Sequence, residues 1–347
     1  MVHNALPVAV GFLAVYLSVP VFREIAFIFK VVDAPGGRKI HRAVTPLFGG
    51  IAIYCGLIVA LLFSSVDLMK VLPVLSGATI ILVVGLVDDI RGLSAQSRLL
   101  WQVMAASAVI FTGNHVDFMP DTFAGNCVEY GVTYLWLVGV TNAFNYLDGM
   151  DGLAAGSAVL NLCFFGAILL LSVQQPLGLF SLILAACCMG FLPYNFRSRK
   201  IFLGDAGSTF LGFVLAGIAL VGHWAQDDIV KISIPVIILG VPIFDMIFTT
   251  VMRIKEGKVR TVAGWLRYAG RDHFHHYLVD IGLHPSQAVV FIYCVTLSLG
   301  ISAVMVSNDR AIEALLAIGQ SVIIFGMVAT LMVVGKRRRS GWRRVRK

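Results

Sequence analysis

Residues 152–172 read GLAAGSAVLNLCFFGAILLLS, a stretch of 21 residues without a charged side chain. An α-helix needs about 20 predominantly apolar residues to cross the hydrocarbon core of a bilayer, so this stretch predicts one membrane span. Ten further stretches come close to the same criterion. The eleven predicted spans lie at about 5–29, 47–65, 71–87, 98–113, 131–147, 152–172, 177–194, 206–222, 229–252, 286–305 and 312–335.

The composition supports the same interpretation. Only 13% of the 347 residues are charged, 58% are hydrophobic, and the mean hydropathy is +0.87, whereas soluble domains have about 25% charged residues. These values exclude a soluble enzyme, a disordered chain and a secreted disulfide scaffold, and the six cysteines lack the spacing of a zinc site. We therefore predict an all-α polytopic membrane protein in which residues 1–347 form a single integral-membrane domain with a basic tail at 336–347.

The basic residues indicate how the chain is oriented. When successive loops are assigned to alternate faces, 24 of the 27 lysines and arginines fall on one face, and Lys70, Lys231 and Arg310 fall on the other. Cytoplasmic loops are enriched in lysine and arginine, so we expect the N-terminus outside and the C-terminus and active site in the cytoplasm. The net charge of +8 is then a topology signal and not evidence of nucleic-acid binding. The basic tail is expected to lie at anionic lipid headgroups.

Two adjacent carboxylates end the third predicted span, in GLVDDIRG at 85–92. Acidic side chains beside hydrocarbon are costly and are commonly functional, so Asp88 and Asp89 are candidates for sharing a proton or binding a cation. A solvated helix end is the alternative.

Polar residues recur at every third position in NAFNYLDGMDGL at 142–153. On a helix, Asn142, Asn145 and Asp148 form one stripe, and Asp151 follows. Such oxygen ligands suit Mg²⁺, which takes one or two carboxylates and completes its shell with water and substrate phosphate. A polar seam between packed helices is the alternative.

A third motif, FLGDAGST at 202–209, places a glycine-flanked aspartate before the eighth predicted span. Backbone N–H groups at a helix start attract phosphate, and Asp205 is predicted to hold the cation that neutralises it. Ser208 or Thr209 is expected to cap the helix, and a simple capping turn is the alternative.

The longest inward loop carries RDHFHH at 271–276, near six basic residues. The basic surroundings favour anion binding by His273, His275 and His276, for example to a diphosphate, over a metal site or a structural role. Asp245 lies in a span that prolines are expected to kink, and we interpret it as the support of a neighbouring base.

The first inward loop adds a second basic segment. It carries Arg38, Lys39 and His41 among turn residues, immediately before the second predicted span. We expect these side chains to receive a lipid phosphate.

Taken in order, these motifs resemble the polyprenyl-phosphate N-acetylhexosamine-1-phosphate transferase family, more closely its WecA/TagO branch than its MraY branch. The resemblance covers residues 33–276, about 70% of the chain. The motifs are DxPxxRKxH at 33–41, TP…GG at 45–50, VDD at 87–89, NxxNxxDGxDGL at 142–153, PYN at 193–195, FLGDAGS at 202–208 and HxHH at 273–276.

The resemblance implies a reaction and its components. The family transfers the sugar 1-phosphate of a UDP-N-acetylhexosamine, here foremost N-acetylglucosamine, to undecaprenyl phosphate and releases UMP, using Mg²⁺, with Mn²⁺ as the alternative. This is the first membrane step of cell-envelope polysaccharide synthesis, such as that of lipopolysaccharide, O-antigen or teichoic acid. The implied location is the bacterial inner (cytoplasmic) membrane. A homodimer is left open, and no nucleic-acid partner is expected.

The resemblance also implies roles for individual residues. Asp205 matches the metal aspartate, Asn145 matches a second metal ligand or a diphosphate contact, and Asp88 and Asp89 match the pair that orients or deprotonates the lipid phosphate. The implied catalytic residues are Asp88, Asp89, Asp205, His275 and His276. The implied substrate-binding residues are Asn142, Asn145, Asp148, Asp151, Asn195, Phe202, His273, Arg38, Lys39 and His41, of which Asn195, Phe202, Asp148 and Asp151 match the uridine pocket.

One departure from the branch concerns sugar selection. Branch members are expected to carry an aspartate about three residues before HxHH, whereas Asp272 directly precedes His273 here. We attribute discrimination between donors to the loop 253–272 that ends at this point.

Two other functions stay open from the residues alone. An intramembrane prenyltransferase shares aspartates at helix ends but would not need the histidine loop or the polar Asn195. A secondary transporter would place its charges near the midplane between inverted repeats, whereas the acids here cluster at one face. Release of UMP from a UDP-sugar distinguishes these functions from the transferase.

Overall fold

The computed structural model describes all residues except 1, 35–43, 197–199, 262–263, 266–267, 269, 271, 308–309 and 346–347, and it leaves the side chains of 2–3 and 335–345 undescribed. Within the described residues the chain is predominantly helical. The helices are α1 (Val2–Ile28), α2 (Gly49–Leu62), α3 (Leu68–Arg91), α4 (Ala95–Ile110), α5 (Phe123–Leu147), α6 (Leu153–Leu171), α7 (Gln175–Asn195), α8 (Gly204–Val221), α9 (Asp228–Ile238), α10 (Gly240–Lys255), α11 (Phe274–Asp280), α12 (Pro285–Val306) and α13 (Ala311–Val345). Two short strands, β1 (Val32–Asp33) and β2 (Thr45–Pro46), pair antiparallel.

Seven helices of the described chain are long and apolar enough to cross a membrane. They are α1, α3, α6, α7, α8, α12 and the part of α13 from Ala311 to Val334. The pair α9 and α10 meets the same criterion together but bends by 77°, which gives up to eight spans. The prediction of an all-helical polytopic membrane protein is therefore confirmed.

Three predicted spans correspond to helices that are shorter or more polar. The stretch 47–65 contains α2, which has 14 residues, and the stretch 98–113 overlaps α4, which has 16 residues and begins at Ala95. The stretch 131–147 is the second part of α5, where threonine, asparagine and tyrosine lower the hydropathy. For α2, the apolar stretch includes loop residues that flank the helix, so its length overstates the helix. The count of eleven spans and the direction of the termini stay predictions.

The bend between α9 and α10 follows from proline, because Pro242 has no N–H to donate to the carbonyl of Ile238 at the end of α9. Pro242 is the third residue of α10, within the first turn, where helix N–H groups have no intrahelical acceptor and a proline is tolerated. Pro235 lies inside α9, and its carbonyl accepts the N–H of Leu239, the residue between the two helices. The kink expected from these prolines is confirmed.

The chain divides into two compact units, an N-terminal unit of residues 1–223 and a C-terminal unit of residues 224–347. In the N-terminal unit, α8 is the central helix, because every residue from Ala206 to Ala219 is buried. Helices α2, α3, α5 and α6 pack against it. The C-terminal unit contains α9 to α13, with α9 packed on α12 and α13.

Glycines let two helices approach the start of α8 at backbone distance. A Cβ added to Gly85 of α3 would lie 2.5 Å from the Cα of Ala206, and one added to Gly50 of α2 would overlap Gly207. No side chain fits between these backbones, so α2 and α3 fix the first turn of α8. That turn carries Asp205.

Candidate active site

The first turn of α8 is capped by a carboxylate from another helix. Asp89, near the end of α3, accepts the backbone N–H of Asp205 at 2.9 Å with Oδ1 and that of Ala206 at 3.1 Å with Oδ2. The expectation that Ser208 or Thr209 caps α8 is wrong. Both lie inside the helix, where their hydroxyls donate to backbone carbonyls one turn earlier.

Asp88 points to a different partner. Its Oδ2 accepts from Nη1 of Arg98 at 3.1 Å, and its Oδ1 accepts the N–H of Leu93 in the loop before α4. The same Arg98 nitrogen lies 3.9 Å from Oδ2 of Asp205. Arg98 therefore connects two of the three carboxylates.

From the sequence alone, Arg98 was predicted only as one of the 24 basic residues of the inward face. A usable signal existed, because Arg98 is the fourth residue of α4. A positive charge is unfavourable near the N-terminus of a helix unless a nearby acid compensates it.

Asn145 orients the exposed carboxylate of the group. Its Nδ2 donates to Oδ1 of Asp205 and to Oγ of Ser208, both at 2.8 Å. The side chain of Asp205 is 41% exposed, whereas that of Asp88 is 6% exposed. Asp205 is thus the more accessible carboxylate of this pair.

The donor set fits Mg²⁺. Among the described residues no three His, Cys, Asp or Glu side chains converge as a metal cluster. Mg²⁺ is commonly bound through only one or two protein carboxylates together with substrate phosphates and water, so a single exposed carboxylate with an ordered partner suffices.

The predicted polar stripe divides between two roles. Asn142 forms a reciprocal amide pair with Gln102, with distances of 2.7 and 3.3 Å, which links α5 to α4 as a polar seam. Asp148, just after α5, is partly buried. Burial, followed by the charges of Asp205 and Asp151, raises the pKa of Asp148 from 3.8 to about 7. Of the stripe, Asn145 is the residue that contacts Asp205.

Asn195 joins two loops at the end of α7. Its Oδ1 accepts the N–H of Gly152 at 2.7 Å, and its Nδ2 donates to the carbonyl of Ile201 at 3.0 Å. The backbone of Phe202 accepts from Gly49 and donates to a residue of β2. These contacts shape the loops around Asp205, and the uridine-pocket role of Asn195 and Phe202 stays a prediction.

In the C-terminal unit, the histidine motif begins in a buried polar network. Nδ1 of His273 lies 3.1 Å from Oδ2 of Asp245, and its Nε2 lies 3.2 Å from Nη2 of Arg253. Asp245 thus supports a neighbouring histidine, as the sequence predicted. Both ring nitrogens of His273 are bonded within the protein, which departs from the expected diphosphate contact.

Arg253 also forms a two-pronged ion pair with Asp272. Its Nε and Nη2 donate to the two carboxylate oxygens at 3.1 and 2.7 Å. Burial acts to raise the pKa of Asp272, but the hydrogen bonds and charge of Arg253 outweigh it and hold that pKa below the ordinary value. The residue that departs from the branch pattern therefore has a defined partner, and neither Arg253 nor this pairing was predicted.

The other two histidines differ in environment. His275 is buried, and neither of its ring nitrogens has a hydrogen-bond partner in the described chain. Burial, followed by the neighbouring rings of His276 and His273, lowers the pKa of His275 well below its ordinary value. His276 is partly exposed, with its ring centroid 4.2 Å from that of His275.

Comparison with known proteins decides the family. A probable undecaprenyl-phosphate N-acetylglucosaminyl 1-phosphate transferase of Bacillus subtilis (strain 168) is 34% identical over 335 residues, which cover 95% of this chain and 92% of the relative. The glycosyl transferase family 4 profile matches residues 71–223. The chain belongs to glycosyl transferase family 4.

Two further relatives carry related names. A decaprenyl-phosphate N-acetylglucosaminephosphotransferase of Mycolicibacterium smegmatis is 29% identical over 354 residues, covering 92% of this chain and 84% of the relative. An undecaprenyl-phosphate alpha-N-acetylglucosaminyl 1-phosphate transferase of Yersinia pestis is 28% identical over 282 residues, covering 78% and 76%. The family resemblance that the sequence motifs indicated is therefore confirmed.

The glycosyl transferase family 4 match places the candidate residues in two groups. Residues 71–223 contain the carboxylates Asp88, Asp89 and Asp205 together with Asn145, whereas the histidine motif lies beyond them. The predicted lipid-phosphate residues Arg38, Lys39 and His41 lie outside the described residues.

Proposed function

We propose that the chain transfers N-acetylglucosamine 1-phosphate from UDP-N-acetylglucosamine to a polyprenyl phosphate, foremost undecaprenyl phosphate, and releases UMP. The observation that carries the proposal is the convergence of Asp88, Asp89 and Asp205 at the first turn of α8, with Arg98 between two of them. The names of the relatives support the same acceptor and transferred group.

The reaction makes demands that this arrangement meets. Phosphoryl transfer depends on in-line placement and on neutralising phosphate charge, more than on covalent chemistry by the protein. Asp205 would hold Mg²⁺, with Mn²⁺ as the alternative, and Asn145 fixes the rotamer of Asp205 and is a candidate second ligand. When bound, the cation polarises phosphoryl oxygens as a Lewis acid.

The two adjacent aspartates take separate parts in this proposal. Both carboxylate oxygens of Asp89 accept backbone N–H groups of α8, so Asp89 holds Asp205 in place. Asp88 is the candidate for orienting the acceptor phosphate or removing its proton, with Arg98 balancing the negative charge. Arg38, Lys39 and His41 are proposed to assist with the acceptor phosphate.

We propose that the remaining candidate residues bind the UDP-sugar donor. They are polar or aromatic residues of the family motifs. The uridine group is proposed to bind to Asn195, Phe202, Asp148 and Asp151, and the diphosphate is proposed to bind to His275 and His276. Discrimination among UDP-sugars falls to the loop 253–272, because uridine and diphosphate contacts are common to all candidate donors.

The proposal includes an orientation in the bacterial inner membrane. Residues 1–347 would form one enzyme domain with eleven spans, the N-terminus outside, and the active site and the basic tail in the cytoplasm. Its support is the asymmetric distribution of lysine and arginine. A homodimer is compatible with this arrangement.

The test presents the purified full-length protein with undecaprenyl phosphate, Mg²⁺ and a panel of UDP-sugars, and measures UMP and lipid-linked product. UDP-N-acetylglucosamine is expected to react best, and Asp205→Asn is expected to lower kcat about 10³-fold or more, because it weakens charge stabilisation at the reacting phosphate. The matched control is Asp67→Asn on α3, since Asp67 is an exposed helix cap and asparagine caps equally well.

The outcomes separate the candidate functions. Preferential use of the muramyl-pentapeptide nucleotide would assign the chain to the MraY branch, and the proposed phosphotransfer reaction would still hold. Failure to release UMP from any UDP-sugar would refute the transferase in favour of a prenyltransferase or a transporter. Near-normal activity of Asp205→Asn would remove Asp205 from the metal site.

A further inference from the structure

A continuous chain of hydrogen bonds surrounds His273 in the C-terminal unit. Asp245 lies on one side of the ring, at 3.1 Å from Nδ1, and Arg253 lies on the other, at 3.2 Å from Nε2. All three side chains are buried. Asp272 closes the network by its two-pronged pairing with Arg253.

The chemistry of the partners determines the state of the ring. A guanidinium has only N–H donors, so Nε2 of His273 must accept and carries no proton. A carboxylate is an acceptor, so Nδ1 must carry the proton and donate it to Asp245. The network therefore requires the neutral Nδ1–H tautomer of His273, and it leaves neither ring nitrogen available to a substrate phosphate.

Asp245 also holds the start of α11. Its Oδ1 accepts the backbone N–H of Phe274 at 2.6 Å and the hydroxyl of Thr249 at 3.2 Å. The hydroxyl of Thr249 lies 3.1 Å from the carbonyl of Asp272 as well. One buried carboxylate thus fixes the residue that begins α11, and His275 and His276 follow in its first turn.

We infer that Asp245, Arg253 and His273 are positioning residues of the transfer reaction, which lock the start of α11 and thereby set where His275 and His276 stand. This inference rests on the proposed function. In the HxHH motif, His273 then stabilises the fold, and His275 and His276 are the histidines that can contact the UDP-sugar donor. Asp272 has a related part in this inference: its carboxylate holds the guanidinium of Arg253 in the orientation that donates to His273.

Kinetics test the inference. His273→Ala is expected to lower kcat about 10²-fold, the scale of a 1 Å misplacement of reacting groups. His273→Asn is expected to recover at least about tenfold of that loss, because its amide can replace Nδ1–H as the donor to Asp245. The matched control is His223→Asn, an exposed histidine, which should keep the wild-type kcat. An asparagine variant as inactive as the alanine variant overturns the inference.

Spectroscopy gives a readout that does not depend on turnover. Full-length protein with ¹⁵N-labelled histidine rings is prepared in detergent, and the signal of His273 is assigned by its loss in His273→Asn. The expected pattern at neutral pH is a neutral ring protonated at Nδ1, unchanged when UMP is added. An Nε2–H tautomer, or a His273 signal that moves with UMP, overturns the inference.

A partner variant completes the test. Asp245→Asn keeps one acceptor oxygen for two donors, Nδ1–H of His273 and the backbone N–H of Phe274, so one of these two hydrogen bonds is lost and kcat/KM for UDP-N-acetylglucosamine is expected to fall. A wild-type kcat/KM in this variant counts against the inference. If the wild-type protein transfers no sugar phosphate to lipid, the proposed function fails, whereas the tautomer measurement still decides the state of His273.

Discussion

Neighbouring residues on a helix project about 100° apart, and this rotation separates Asp88 from Asp89. Asp89 faces α8 and accepts two of its backbone N–H groups, whereas Asp88 faces α4 and accepts from Arg98. Identical side chains one position apart therefore have different chemistry available to them. Asp88 is paired with a side chain whose charge can be shared with a substrate, whereas each oxygen of Asp89 accepts a backbone N–H of α8.

Asp148 is expected to make stability depend on pH. Its pKa is raised from 3.8 to about 7 by burial and by the charges of Asp205 and Asp151. Between these two pH values the folded state binds more protons than the unfolded state, so the free energy of unfolding falls as the pH rises and levels off above about 7. Asp148→Asn removes the buried charge, so its Tm should exceed the wild-type Tm at pH 8 and match it near pH 4.

The measurement is thermal unfolding of the full-length protein without divalent cations. Asp67→Asn serves as the control, because Asp67 is exposed and both side chains cap α3. A Tm for Asp148→Asn that is below wild type at pH 8 contradicts the raised pKa.

At the scale of elements, the sequence predicts which helices exist better than how they end. The stretch 206–222 was predicted closely, because α8 is a nearly uninterrupted apolar run. Its cap was not, since Asp89 lies 116 residues earlier in the chain and local capping rules consider only adjacent residues. Asp205 and Asn145 were predicted together from the motif pattern. For Arg98, the local pattern indicates a nearby acid, but only helix packing determines that the acids are Asp88 and Asp205.

Gly85→Ala is expected to displace the first turn of α8, which carries Asp205, although Gly85 itself has no role in the chemistry. The added Cβ would lie 2.5 Å from the Cα of Ala206, a backbone atom that cannot rotate away, so α3 and α8 must separate. Overpacking of this kind costs about 1–3 kcal/mol of stability, and a displaced Asp205 is expected to lower kcat about 10²-fold. Thermal unfolding and the UMP assay measure the two effects.

A matched glycine in α5 controls for the substitution itself. A Cβ on Gly131 meets no atom within 4 Å, so Gly131→Ala should leave kcat unchanged. Equal activity of Gly85→Ala and Gly131→Ala would contradict the close approach of α3 to α8.

At the scale of the whole molecule, composition determines the class of protein, and charge distribution predicts its orientation. The apolar stretches merged α9 and α10 into one span, because hydropathy does not register a change of direction. The division into residues 1–223 and 224–347 was not predicted, since it depends on contacts between helices, which composition does not contain. The family resemblance, in contrast, was recognised from the motifs and their order along the chain.

The tail is expected to lie in the cytoplasm. A chain whose six native cysteines are replaced carries Ser340→Cys, and an impermeant thiol reagent is added to intact cells. Lysine and arginine are retained on the cytoplasmic face, so this cysteine should stay unlabelled until the cells are opened. Asp121→Cys, in the exposed loop before α5, should label from outside and serves as the positive control. Labelling of the tail in intact cells would show that the predicted orientation is wrong.

The cap on α8 also has a consequence for biosynthesis. Asp89 and Asp205 are 116 residues apart, and ribosomes add about 5–20 residues per second, so α8 emerges roughly 6–23 s after α3. Until then neither oxygen of Asp89 has its backbone partners. The proposed metal aspartate is therefore fixed only after α8 has been synthesised and has packed against the helices that precede it.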